Sequence, residues 1–399
     1  SGLPLNPRYM KTLLDLNLSG KKVLLRLDLN TPIQDFKVSD DERILRSMPT
    51  IRHILDNDGK LTILSHLGRP EENGVIQVKF SLDPVAQKLE ELLGQEVNLI
   101  ESIEDWSEPD PGNLNMLENV RFLRGEKTND PSLSRRLAEM CDVFVMDAFA
   151  TSHRRHASTT GVISFAKEAC AGLLLKEELE SLNNLNQNEN RPSVAVLGGA
   201  KISTKLELIN SLSEKMDYVI LGGGIANTCL AAQGFEVGSS LFEKDMLKQA
   251  LELASKEGVI LPKKVVVAGS PEEEGRVVDI GSIKSSDSIF DIAPESFESI
   301  KSILSDAKVI LWNGPVGLFE KQQFMHGTSC VAKMIVNSEA YSVGGGGDTI
   351  AAAKEIGVLN EIDYMSTAGG AFLEFIEGRT LPAIEALGQK ALESQDNRA

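Results

Sequence analysis

YSVGGGGDTIAAAKEIG, residues 341–357, is the stretch whose reading decides the fold class. A short apolar run meets four consecutive glycines, Gly344 to Gly347, and Asp348 and Thr349 then open a helical pattern. Glycines between a strand and a helix let the backbone approach a ligand closely, and a helix N-terminus attracts anions. Yet the residue that follows is an acid, so the positive charge a phosphate wants has to come from elsewhere in the chain.

The same strand, glycine and helix order recurs outward from this point. In the second half PSVAVLGG, DYVILGGG, KKVVVAG and KVILWNG read as strands, with YSVGG and DYMSTAGG after them; in the first half KKVLLRLDL, KLTILSHL and CDVFVMDAF do. Helical patterns alternate with them, at 82–93, 133–140, 203–213, 244–255, 294–304 and 348–356, which is the signature of parallel α/β architecture. A helix over 172–185 with an Asn-rich exit at 183–192 separates the halves, and TLPAIEALGQKALES forms a last helix able to pack on either lobe.

At 399 residues the chain has room for two domains, each with its own core. No apolar run reaches the roughly 18 residues of a membrane span, and no secretory signal is visible, so a cytoplasmic enzyme is expected. Ser1 to Tyr9 reads either as a native extension without its initiator Met or as an expression remnant. Cys141, Cys170, Cys229 and Cys330 lack CxxC spacing and read as reduced core thiols. A net charge of -17 disfavours nucleic acid and anionic membranes as partners, which makes any arginine cluster informative.

Such a cluster stands at the strand ends of the first half, where open parallel sheets bind ligands. Arg26, Asp28 and Asn30 follow one run, His66 and Arg69 the next, and Arg121, His153, Arg154, Arg155 and His156 come later, with Arg43 at a helix start. Arginine grips phosphate and carboxylate bidentately, so a small polyanion is the fitting ligand. Second-half strands end instead in Gly198-Gly199-Ala200-Lys201, Gly222 to Gly224, Asn313-Gly314-Pro315, Gly344 to Gly347 and Gly369-Gly370, which leave room for a base and ribose. Neither a GxxxxGK[ST] loop nor a GxGxxG fingerprint is met. Lys201 and Lys205, four apart, are expected on one helical face, freeing Asp348 to hold a nucleotide's Mg²⁺ and Thr349 to meet phosphate.

RLDLNTP, SHLGRP, ENVRF, DAFATSHRRHAST, LGGAKISTK, LGGGIANT, WNGPVGLFE, GGGGDT and STAGGAFLEFIEG occur in this order across nearly the whole chain. In these motifs the sequence resembles the phosphoglycerate kinases. The resemblance implies an α/β fold of two Rossmann-like, doubly wound lobes with mainly parallel sheets, joined by an interdomain helix. It implies a phosphoglycerate-binding domain over 1–171 with the segment from about 380 to 399 packed back on it, a helix and linker at 172–190, and a nucleotide-binding domain over 191–379. Asp28, Asn30, Arg43, His66, Arg69, Arg121 and Arg154 would face 3-phosphoglycerate or 1,3-bisphosphoglycerate. Gly199, Ala200, Gly223, Leu318 and Glu320 would line the adenosine of ADP or ATP, Glu320 on the ribose; Lys205, Asn313, Gly346, Asp348 and Thr349 would lie along its phosphates, Asp348 on Mg²⁺, and Lys201, Pro315 and Gly347 would join them in binding the nucleotide.

Transfer would proceed in line after hinge closure, Arg43, Lys201 and the amides at Gly369 and Gly370 steadying the migrating group without a general base. The family implies a monomer. Two departures stand out: Ala368 where the family usually has glycine in STGGGA, and Ala150-Thr151-Ser152-His153-Arg154 where it usually has GTAHR. The rival readings are a noncatalytic or moonlighting binding protein on the same scaffold and a doubly wound NAD-dependent oxidoreductase.

Overall fold

The computed structural model describes residues 10–186 and 190–396. The stretch Ser1–Tyr9 and the middle of the Asn-rich exit lie outside the described residues. The chain gathers into two compact units, Ser1–Glu180 with Thr380–Ala399, and Ser181–Arg379. The division falls inside the helix Leu173–Asn183.

The first unit is built on a parallel sheet of β1 (Lys22–Leu27), β2 (Lys60–Leu64), β3 (Val97–Ile100), β4 (Leu114–Leu117), β5 (Val143–Asp147) and β6 (Glu168–Ala171) in the order β3-β4-β2-β1-β5-β6. Central strands of such a sheet are covered on both faces, so they read as unbroken apolar runs; β5 is buried at every position. Val23, Leu25 and Leu27 enter a core with Ile44, Ile51 and Ile54 of helix Glu42–Asp56 and Val85 and Leu89 of helix Asp83–Leu93. Alternation along the strand sends Arg26 to the other face, where it is wholly buried. The chain leaves β1 toward β2 on one side and returns to β5 on the other, so the order reverses beside β1, the place where doubly wound sheets open a ligand crevice.

The second unit repeats this plan with β7 (Ser193–Leu197), β8 (Tyr218–Leu221), β9 (Val259–Ile260), β13 (Val309–Asn313), β14 (Tyr341–Gly345) and β15 (Tyr364–Ser366), all parallel, in the order β9-β8-β7-β13-β14-β15. Here the order reverses between β7 and β13, whose register pairs Leu197 with Asn313. The run KKVVVAG does not join this sheet. It is β10 (Lys264–Ala268), the centre of an antiparallel sheet between β11 (Arg276–Asp279) and β12 (Ser288–Ile292). Val266 and Ala268 pack into one small core and Val265 and Val267 into another, so burial on both faces gave the strand the look of a parallel one.

The four cysteines are all free thiols, with Cys141, Cys170 and Cys229 buried. No helix among the described residues is long and apolar enough to cross a membrane.

Candidate functional site

In the first unit the ends of β1 and β2 are tied together by side chains of the strand-end cluster. Asp28 Oδ1 accepts the Asn30 N–H at 3.1 Å, and Asn30 Oδ1 accepts the Gly68 N–H at 2.9 Å. Arg43, on the first turn of helix Glu42–Asp56, donates Nη1 to Asp28 Oδ2 at 2.6 Å. Arg121 sits in a short 3-10 turn after β4 and gives Nη1 to Gly68 O at 2.6 Å, while its Nε is buried with no hydrogen-bond partner. A buried guanidinium donor left unused costs free energy unless a ligand takes it up.

His66 follows β2 and is buried. Burial, reinforced by the fields of Arg26, Arg121, Arg43 and Arg154, holds it well below the ordinary histidine range. Arg121 is lowered to about 10, by burial first and then by Arg26 and Arg154. Cations that depress one another in this way mark a place suited to an anion. Arg154, whose field reaches His66, is exposed, and so is Arg69, next in the chain to Gly68. Arg26 backs this cluster from inside the unit, its Nη2 3.3 Å from His66 Nδ1, whereas Arg155 stands apart from it, exposed and 3.9 Å from Glu385. A cavity of about 400 Å³ adjoins, shared through Asn30 and Gly68 and walled by Phe36 and Phe80.

In the second unit a cavity of about 580 Å³ opens at the reversal between β7 and β13, lined by Gly199, Ala200, Gly223, Pro315, Leu318, Glu320 and Asp348. Gly199 and Gly223 adopt φ of +135° and +65°, and a Cβ at Gly223 would meet Gly199 O at 2.7 Å, so only glycine lets the β7 and β8 ends come this close. The far wall comes from β12, through Phe290 and Asp291, which sequence reasoning missed. Burial pushes the Asp291 carboxyl up to about 8, against the pull of N–H donors from Gly327 and Ile292.

Lys201 and Lys205 do not share a helical face: the helix begins at Leu206, Lys205 is its N-cap, and Lys201 is exposed in the preceding turn. Lys205 turns back to the strand ends, donating to Gly198 O at 2.7 Å and Asn313 Oδ1 at 2.8 Å. Asn313 Nδ2 donates to Gly345 O at 2.7 Å. Thr349 accepts the Gly314 N–H at 2.8 Å and donates to Gly345 O at 2.7 Å. Gly346, at φ +103°, caps the helix Gly347–Ile356, which puts Gly347 and Asp348 in its first turn and leaves both exposed. Gly369, at φ +55°, caps helix Gly370–Ile376, and Ala368 beside it is buried.

Among the described residues no group of three or more His, Cys, Asp or Glu gathers to hold a metal. A lone carboxylate at Asp348, beside a cavity and near Lys205, fits Mg²⁺ that arrives largely coordinated by phosphate oxygens.

A model of the phosphoglycerate kinase family matches residues 13–379. The chain belongs to the phosphoglycerate kinase family. Like the rest of that family it is a phosphotransferase. It is 46% identical over 389 residues to the phosphoglycerate kinase of Coxiella burnetii (strain RSA 493 / Nine Mile phase I), covering 95% of this chain and 98% of that one. The solved structure of a phosphoglycerate kinase from Coxiella burnetii superposes with a TM-score of 0.92 at 44% identity, covering 96% of this chain and 100% of the other. That of the phosphoglycerate kinase from Pyrococcus horikoshii OT3 gives 0.79 at 33% identity, with coverage of 96% and 100%.

Proposed function

We propose that the chain moves a phosphoryl group reversibly between 1,3-bisphosphoglycerate and MgADP, giving 3-phosphoglycerate and MgATP. The first unit holds the phosphoglycerate on Asp28, Asn30, Arg43, His66, Arg69, Arg121 and Arg154. The second holds the nucleotide between Gly199, Ala200, Gly223, Pro315, Leu318 and Glu320, with Lys201, Lys205, Asn313, Gly346, Gly347 and Thr349 along its phosphates. Mg²⁺ held at Asp348 supplies neutralisation of phosphate charge. The observation that carries the reading is the crowding of Arg26, Arg43, Arg121 and Arg154 around the buried His66, a set of positive charges that suits an anionic ligand.

The acceptor is a carboxylate or an ADP phosphate oxygen, already ionised, so no general base is needed. Arg43, Lys201 and the amides at Gly369 and Gly370 meet the equatorial oxygens as charge spreads over them. Transfer requires the two bound reactants to meet in line with water excluded, which is the task of a closing motion. A coupled assay tests the reading: ADP must appear only when MgATP and 3-phosphoglycerate are both supplied. Binding of NADH without such turnover overturns it in favour of an oxidoreductase.

Lys205 gives the nucleotide site a pH signature. Burial lowers its ammonium to about 8, with Asp348 pulling back upward. Near that pH the free protein has lost about half of this charge, and phosphates placed beside the nitrogen restore it. MgADP binding is therefore expected to take up protons around pH 8 and none at about pH 6.5, where Lys205 is charged in both states. Calorimetry in two buffers of different ionisation heat reads this directly. The uptake disappears in Lys205→Ala, and a binding heat independent of buffer at pH 8 contradicts the role.

A further inference from the structure

We propose that Glu126, Ser158 and Arg26 form a buried positioning relay that fixes His66 as its Nε2–H tautomer, so that this proton is offered to the anionic substrate. The inference rests on the assignment of His66 to phosphoglycerate made above.

Arg26 is 0% exposed and its guanidinium is held on three sides: Nε donates to Ser158 Oγ at 2.9 Å, Nη1 to Leu27 O at 2.5 Å, and Nη2 lies 3.3 Å from His66 Nδ1. A guanidinium has no lone pair to give, so Nδ1 must be the acceptor and the ring proton must sit on Nε2. Ser158 sets the plane of Arg26. Its Oγ accepts from Arg26 and passes its own proton to Glu126 Oε1 at 2.6 Å, while its N–H donates to Glu126 Oε2 at 3.0 Å. Both oxygens of Glu126 thus act as acceptors, and the carboxylate, itself 0% exposed, balances the buried guanidinium.

The charges that act most on His66 are those of Arg26, Arg121, Arg43 and Arg154, all cations, and they oppose a second ring proton; the Asp28 carboxylate nearby is engaged by Arg43 at 2.6 Å. His156 Nδ1 stands 3.8 Å from Glu126 Oε1, but burial holds His156 at about 4, so it is neutral at pH 7 and does not draw the carboxylate away from Ser158. The three relay members touch no substrate in this scheme; they act through His66.

The test is ¹⁵N-histidine NMR on the full chain, with the His66 signals assigned by their loss in H66Q. At about pH 7 and about pH 5.5 the wild type is expected to show one neutral His66 species, protonated at Nε2, whose signal moves on adding 3-phosphoglycerate. S158A is expected to mix the tautomers and to raise the KM for 3-phosphoglycerate about tenfold with the KM for ATP unchanged. S158T, which keeps the hydroxyl, restores both. A wild-type His66 protonated at Nδ1, or at both nitrogens at pH 7, overturns the relay, and this reading needs no variant to fold. A His66 that responds to 3-phosphoglycerate but keeps its spectrum in S158A overturns the relay alone. An Nε2–H tautomer indifferent to 3-phosphoglycerate overturns the assignment of His66 to substrate, and the relay's purpose with it.

Discussion

Arg43→Ala is expected to lower kcat by about a thousandfold while leaving MgADP affinity within about twofold of the wild type. The guanidinium rests on Asp28 at 2.6 Å, about one-third exposed, so the fold loses little with it. An exposed ion pair is worth about 0–1 kcal/mol, too little to unfold a unit with a full core. In the proposed scheme Arg43 also supplies charge to the group in flight, an interaction strongest in the transition state, and interactions stronger there are lost chiefly from kcat. Turnover from the coupled assay and nucleotide affinity from calorimetry separate the cases. A parallel fall in both would place Arg43 among structural groups instead.

Gly198→Ala is expected to destabilise the second unit by about 4 kcal/mol or more and to abolish nucleotide binding. A Cβ there would lie 1.8 Å from Pro315 O and 2.5 Å from Pro315 C, both backbone atoms that no rotamer change can move aside. The Gly198 N–H donates to Asn313 O at 3.0 Å, and its carbonyl receives Lys205, so pushing the β7 and β13 ends apart also unseats the lysine. Gly347→Ala is the matched control: nothing lies within 4 Å of its added Cβ, and stability should hold. Thermal unfolding of both variants decides the matter, and an unshifted melt for Gly198→Ala would refute the close approach.

The parallel sheets were legible because their central strands are buried end to end, as in SVAVL and VFVMD. Strands with polar members escaped notice. Leu114–Leu117 contains Asn115, buried yet satisfied by donating to Ser107 O at 2.8 Å, and Glu168–Ala171 opens on an acid that pairs with Lys11. The antiparallel sheet escaped for a different reason: its flanking strand Arg276–Asp279 is mostly exposed, so only the middle strand announced itself.

Lys201 and Lys205 were misread because four-residue spacing does not distinguish a helix from a turn that folds back, and the partners that draw Lys205 back, Gly198 and Asn313, are a strand-end carbonyl and a side chain about a hundred positions on. Arg26 looked like one more strand-end cation. Its burial on the sheet face opposite Leu25 and Leu27 and its distant balancing acid, Glu126, are matters of three-dimensional closure, invisible to local pattern.

The helix Pro382–Asp396 belongs to the first unit: the Ala383 N–H donates to Ser152 O at 3.1 Å, and Leu381, Ala383, Ile384 and Leu387 are buried. On a translating ribosome the consequence is an inversion of the usual order, in which the N-terminal domain matures first. Every residue of the second unit has been synthesised before this helix exists, so the portion of the polypeptide made earliest has to wait, incompletely covered, for the portion made last.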